Sequence, residues 1–176
     1  MNTLILAFHP HPARSRVQQA WLRRLRDAPE FHVHQVDAAY PDWRIDVARE
    51  QALLERSRHV VFMHPLYWYS VTPMMKLWLD EVLKFGWAFG PGVDRLAGKT
   101  WRHVVSTGAT QADYQAGGFN EYTISELFKP WQRSAAMVGM RYLPPFLLHD
   151  SHSQDDAALA RSGEQLLDAL REPLAS

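Results

Sequence analysis

Five short runs of strand character recur along the chain, at residues 3–8, 31–36, 60–63, 103–106 and 142–148, and each is followed by a stretch of helical period. The helical stretches fall at 15–27, 46–56, 74–84, 121–137 and 155–170, with Pro130 expected to interrupt or kink the fourth. Runs such as Thr3-Leu4-Ile5-Leu6-Ala7-Phe8 and Val60-Val61-Phe62-Met63 are apolar throughout, as strands buried on both faces require. Strands that alternate with helices at this spacing form a parallel sheet, because a parallel pair needs a crossover and the crossover helices cover both faces. Five such strands suit an α/β three-layer sandwich of order 2-1-3-4-5, although periodicity alone does not separate this from other doubly wound orders.

Bulk properties narrow the class. The 176 residues carry no Pro/Gly/Ser-rich linker or charge block, so one domain over residues 1–176 is expected. Lys+Arg and Asp+Glu both number 19, which gives neither the basic field of a nucleic-acid binder nor the acidic face of an electron shuttle. The chain has no cysteine, which excludes disulfides, thiolate metal sites and a cysteine nucleophile. The amino terminus lacks a basic n-region and its apolar run breaks at His9-Pro10, and no run approaches the roughly 18 apolar residues of a membrane span. A soluble, cytoplasmic protein is the expectation.

In the order 2-1-3-4-5, strands 1, 3 and 4 are neighbours, and ligands of open α/β sheets bind at strand carboxyl ends where the order reverses. Three loops therefore meet. The first, His9-Pro10-His11-Pro12-Ala13-Arg14-Ser15-Arg16, starts a helix with Ser15 at the N-cap position. Free amides, a hydroxyl and flanking guanidinium groups suit a phosphate there; the plainer reading is a serine that only caps, with its arginines in water. His9 and His11 also have His-x-His metal spacing, without a carboxylate or third ligand beside them. The second loop, His64-Pro65-Leu66-Tyr67-Trp68-Tyr69-Ser70, leads to Pro73, Lys76 and Trp78 on a helix. An aromatic core or dimer contact accounts for Leu77, Trp78 and Val82 on that helix, but Leu66, Tyr67, Trp68 and Tyr69 cannot all point inward from a surface turn. The third, Ser106-Thr107-Gly108-Ala109, is a small-residue turn whose amides are open to a carbonyl or an anion.

Other motifs fail. Gly92 to Thr100 has five residues between its glycines where a phosphate-binding P-loop has four, and it leads into a strand. No dinucleotide fingerprint, zincin motif or nucleophile elbow occurs. His32 and His34 share a strand face and are expected in solvent, as are Asp46, Glu50 and Glu55 on a helix face.

His9-Pro10, Ser15, the His64 to Tyr69 loop with Pro73, Lys76 and Trp78, and Thr107-Gly108 together resemble the NAD(P)H:quinone reductases of flavodoxin-like fold. Tyr40-Pro41-Asp42, Gly86-Trp87-Ala88-Phe89-Gly90 and Leu143-Pro144-Pro145-Phe146 extend the resemblance, most closely to the KefF and KefG type of ancillary subunit of the glutathione-gated potassium efflux system. The resemblance implies FMN rather than FAD, with NAD(P)H as hydride donor and a quinone-like acceptor, in ping-pong exchange through flavin N5. It implies that His9, Ser15, Arg16, Val17 and Gln18 hold the phosphate and ribityl chain. Leu66, Tyr67, Trp68 and Tyr69 would line the isoalloxazine, and Ser106, Thr107, Gly108 and Ala109 its pyrimidine edge. Gly117 and Gly118 shape the loop above, where Tyr114 stands at the position of the catalytic tyrosine. Asn120 is the polar residue nearest the position of a companion histidine. A homodimer, and attachment to the cytosolic domain of a potassium efflux transporter at the inner face of the membrane, are further implications.

Overall fold

The computed structural model describes residues 2–172. Thr3–Ala7 (β1), Phe31–Gln35 (β2), His59–Pro65 (β3), Thr100–Ser106 (β4) and Arg141–Leu148 (β5) form one sheet, all pairs parallel, in the order β2-β1-β3-β4-β5. The expected flavodoxin-like order is the observed one. Ala7 pairs with Met63, and Pro65 with Ser106, so β1, β3 and β4 end side by side.

Side chains alternate across each strand, and the two sets of apolar residues feed two cores. Leu4, Leu6, Phe8, Val60, Phe62, Trp101 and Val105 face Val47–Glu55 (α3), Pro73–Val82 (α4) and Lys129–Met137 (α6). Ile5, Ala7, Val61, Met63 and Val104 face Arg16–Arg26 (α1) and Asp156–Arg171 (α7). The α1–α7 seam is pinned by Trp21 Nε1, which donates to Ser162 Oγ at 2.8 Å in the core. Two one-turn helices, Val36–Ala39 (α2) and Ile124–Leu127 (α5), complete the set. Among the described residues, no helix is long and apolar enough to cross a membrane.

Several boundaries differ from expectation for local reasons. Pro130 falls in the first turn of α6, where a missing N–H costs nothing, so it starts a helix instead of kinking one. β4 begins at Thr100, three residues earlier than hydropathy suggests, because its polar first residues pair with β3 all the same. In β5 the register slips by one residue opposite Arg102 and Val104, where Pro144 and Pro145 sit. A proline cannot donate to a ladder, and an edge strand with a bulge is where a sheet tolerates it.

The larger correction concerns His34 and Glu50. His32 is exposed as expected, but His34 is buried and Glu50 is 0% exposed. α3 lies across the end of β2, and a carboxylate in that position persists only if its oxygens are satisfied. They are: Tyr40 Oη donates to Oε1 at 2.5 Å, His34 Nε2 donates to Oε1 at 2.9 Å, and Trp78 Nε1 donates to Oε2 at 2.8 Å. Burial alone raises a carboxyl, but these three bonds outweigh it and hold Glu50 below its ordinary value of 4.5. One side chain on α3 thereby ties β2, the end of α2 and α4 together.

Two outcomes follow from a carboxylate fixed in this way. Glu50→Gln replaces an acceptor with a donor facing donors, and costs about 3 kcal/mol in urea unfolding. A folded-state value below the unfolded one adds stability that is complete above pH 4.5 and is lost as the pH falls through the lower folded value; Glu50→Gln should lack that acid-dependent loss.

Candidate functional site

The chain leaves β1 through Phe8, whose amide still donates to Met63 O at 2.8 Å, and turns at His9. The His9 amide donates to Asp37 Oδ2 at 2.8 Å, and His9 Nδ1 accepts the His11 amide at 3.0 Å. Burial, then the neighbouring His11, lowers the His9 imidazole, so it is held neutral. A single 3-10 turn at Pro12–Arg14 delivers Ser15 to the N-cap of α1, where its Oγ accepts the Gln18 amide at 3.2 Å. No acidic residue occupies that first turn, so the positive end of the helix is not neutralised from within. Arg16 leans away to α7, donating to Asp156 Oδ1 at 2.7 Å and Gln154 O at 3.0 Å.

Beyond β3, the Leu66 amide donates to Ser106 O at 2.8 Å and extends the ladder by one rung. Tyr67 and Ser70 then exchange backbone hydrogen bonds at 3.2 and 2.9 Å around Trp68 (φ 46°) and Tyr69 (φ 61°). Positive φ at both central positions is the sign pattern of a type I′ turn, usually left to Asn-Gly. Two aromatic residues there cost roughly 1–3 kcal/mol each in backbone strain. Both rings face outward from the turn: Trp68 is 93% exposed and Tyr69 half so. Thr72 then caps α4, with Pro73 in its first turn.

The third loop is held from behind by residues 149–152, which follow β5. Thr107 Oγ1 donates to Ala109 O at 2.9 Å, and the Asp150 and Ser151 amides donate to Ala109 O and Thr107 O. With its hydroxyl proton spent, Thr107 Oγ1 accepts from His149 Nδ1 at 2.9 Å, which leaves His149 Nε2 without that proton. A Cβ on Gly108 would come within 3.3 Å of His152 Nε2, so the loop lies flat against this fourth wall. The His149 ring lies 5.8 Å from that of Tyr114, tilted by 35°, and burial lowers its imidazole. Burial, then Tyr69 and Asp113, raise the Tyr114 phenol, so it stays protonated at neutral pH.

A cavity of about 400 Å³ lies where these loops meet, lined by His9, Arg14, Ser15, Arg16, Val17, Pro65, Leu66, Tyr67, Ser106, Gly108, Ser151 and His152. Beneath it Gln18, 5% exposed, holds a buried Oε1 with no hydrogen-bond partner. Trp68, Tyr69 and Tyr114 do not line this cavity; Thr107 and Ala109 turn inward and brace it. Ser151, His152 and His149 carry no motif of their own, but the rule that puts ligands at the carboxyl ends of strands 1, 3 and 4 extends to the end of the last strand, where they stand. A larger groove of about 720 Å³ runs between α4 and α6, floored by Leu79, Leu83, Trp131 and Val138 and rimmed by Lys76, Asp80, Lys84 and Arg133. It lacks the converging loop amides and helix start of the strand-end cavity.

A parallel sheet of order 2-1-3-4-5, with a capped helix start and an aromatic turn at its switch point, defines a flavodoxin-like protein. The chain belongs to the flavodoxin-like fold family, matched over residues 1–170. It is 44% identical over 165 residues to the uncharacterized NAD(P)H oxidoreductase YdeQ of Bacillus subtilis, covering 94% of this chain and 84% of that one. The potassium-efflux ancillary protein KefG of Serratia proteamaculans is 39% identical over 173 residues, 98% of this chain and 94% of that one. General stress protein 14 of Treponema denticola, solved in complex with FMN, superposes with a TM-score of 0.91 at 37% identity, covering 97% and 98% of the two chains.

The turn that carries Tyr114 permits a local test. A Cβ on Gly118 would sit 2.4 Å from Ala112 O and 2.7 Å from Asp113 O, both backbone atoms. Gly118→Ala should force this turn open and speed exchange of the Asn120 amide, now bonded to Asp113 O, about tenfold or more, while amides of the central strands keep their protection.

Proposed function

We propose that this protein is an FMN-dependent NAD(P)H:quinone oxidoreductase. The observation that carries the reading is the convergence of the α1 start, the aromatic turn and the Ser106–Ala109 loop on one cavity at the ends of β1, β3 and β4. The residues suit the group in detail. The α1 amides with Ser15 and Arg14 match a phosphate; Arg16, held by Asp156, fixes the helix start against α7. The unpartnered Gln18 Oε1 calls for a donor, which a ribityl hydroxyl provides. His9 and Val17 close that end, Leu66 and Tyr67 form the wall for an aromatic ring, with Trp68 and Tyr69 on the exposed turn beyond it, and Ser106 and Gly108, braced by Thr107 and Ala109, frame its polar edge. The YdeQ name and the FMN complex of general stress protein 14 support the same assignment.

Bound FMN supplies a two-electron centre at N5 that takes hydride from NAD(P)H and passes it to a quinone-like acceptor in turn. The chain's own contribution is orientation and charge. Tyr114 is a protonated phenol beside His149, whose Nε2 carries no proton, so the two form a donor and an acceptor side by side behind the Ser106–Ala109 loop. His149 thus stands in for the companion histidine, reaching Tyr114 from the end of β5 and not from Tyr114's own loop. Trp68, Phe119, Tyr122, Phe85 and Met137, all exposed, give the rim and the neighbouring groove the apolar area of a homodimer contact. The KefG likeness favours a second role, docking to the cytosolic domain of a potassium efflux transporter.

Purified protein should be yellow, bleach with NADPH and recover its colour with a quinone; a colourless protein that takes up no FMN overturns the reading. Ser15→Ala removes one cap and should lower stability by about 1 kcal/mol with a small effect on FMN affinity. Ser15→Glu places a carboxylate where the phosphate sits, and should weaken FMN binding at least about a hundredfold, measured by flavin fluorescence.

A further inference from the structure

On the sheet face covered by α4 and α6 lie two histidines that the reading above does not use. His64 is 2% exposed and His103 0%. They stand on neighbouring strands, β3 and β4, with Trp101 two residues before His103 on the same face. Trp101 Nε1 is 2.8 Å from His103 Nε2, His103 Nδ1 is 2.8 Å from His64 Nε2, and His64 Nδ1 is 2.9 Å from Pro65 O.

The two ends of this chain decide everything between them. An indole N–H only donates and a carbonyl oxygen only accepts. His103 Nε2 therefore accepts from Trp101 and carries no proton, and the one proton of that ring sits on Nδ1. It is donated to His64 Nε2, which is bare in turn, so His64 keeps its proton on Nδ1 and donates it to Pro65 O. Reversing the chain would aim a proton on His103 Nε2 at the indole N–H. Burial acts in the same direction, lowering His64 to about 4 and His103 well below its ordinary value, the latter also against His64. Neighbouring rings hold the geometry: Phe128 stacks on His64 at 6.0 Å, and Phe62 on Trp101 at 4.3 Å.

The far end of the chain is the point of interest. Pro65 is the last residue of β3 and lines the strand-end cavity. The peptide unit between Pro65 and Leu66 is gripped at both polar ends, its carbonyl by His64 and its N–H by Ser106 O at 2.8 Å. A peptide plane fixed at both ends sets the direction in which the chain leaves the sheet, and the strained Tyr67–Ser70 turn begins one residue later.

We propose that Trp101, His103 and His64 form a one-way hydrogen-bonded strut, each imidazole protonated on Nδ1 alone, that fixes the Pro65–Leu66 peptide plane and so aims the aromatic turn. His103 and Trp101 are positioning residues for the crevice although neither lines it. The effect on cofactor affinity rests on the FMN reading; the tautomers and the loop anchoring do not.

The test uses the whole chain, labelled with ¹⁵N in its histidines, with and without added FMN. In the wild type both rings should show a bare, pyridine-like Nε2 and a protonated Nδ1; a protonated Nε2 on either ring overturns the strut. His103→Leu removes both bonds and should speed exchange of the Leu66 amide and raise the FMN dissociation constant, each about tenfold. His103→Asn, whose amide nitrogen takes the place of Nδ1, should bring both back to within about threefold of wild type. Unchanged Leu66 exchange in folded His103→Leu, or an Asn variant no better than the Leu one, overturns the proposal. Should His103→Leu fail to fold, Trp101→Phe decides. It removes the donor to His103 Nε2 while Pro65 O still sets the direction, so both rings should stay protonated on Nδ1 and the His103 Nε2 resonance should move to that of a nitrogen that accepts no hydrogen bond; an unchanged His103 Nε2 resonance counts against the strut. A wild type that takes up no FMN refutes the functional reading alone, because the tautomers and the Leu66 amide still judge the strut.

Discussion

The parallel ladder joining β1, β3 and β4 is the constraint from which the rest of the structure follows. Strands paired in parallel end on the same side of the sheet, so Ala7 beside Met63 and Pro65 beside Ser106 bring the three strand ends together, and the loops that leave them share one crevice. The backbone continues the ladder past the strands themselves: the Phe8 amide donates to Met63 O, the Leu66 amide to Ser106 O and the Thr107 amide to Leu148 O. Each loop therefore departs from a hydrogen-bonded position, which is how flexible connections acquire the placement that a binding site needs.

Two buried polar clusters reinforce that frame, and both solve the same problem. A polar group out of water must find partners, and once it has them it fixes whatever elements supplied them. Glu50 collects donors from Tyr40, His34 and Trp78, and so locks α3 and α4 onto the end of β2. His103 and His64 pass a line of hydrogen bonds from Trp101 to the Pro65 carbonyl, across the strand pair that ends beneath the aromatic turn. Neither cluster lines the strand-end cavity. Each lies within the layer that supports it, where a wrong partner would be most costly.

Much of the architecture could be read directly from the chain. Helical and strand periods, the Ser15 cap and the parallel strand order appear in the structure within a few residues of their expected places. The outward-facing Trp68 follows from the argument that four bulky residues cannot all turn inward at a surface loop. What resisted reading was polarity in context. Glu50 and His34 have the composition of a solvated face, and nothing nearby in sequence marks them as partners, since α3 is brought over β2 only by packing. His149 is illegible for a similar reason: its neighbours in space, Tyr114 and Thr107, lie 35 and 42 positions away.

By itself, then, the sequence determined the elements, their parallel pairing and the chemistry of the three strand-end loops, because periodicity, capping and turn chemistry act over a few residues. Tertiary structure alone decided which polar groups lose their water and what replaces it: the three donors on Glu50, the proton positions on His64 and His103, the unpartnered Gln18 oxygen and the approach of His149 to Tyr114. These are contacts between distant positions across a close-packed interior. Their energy depends on distances of a few ångströms that no local pattern encodes.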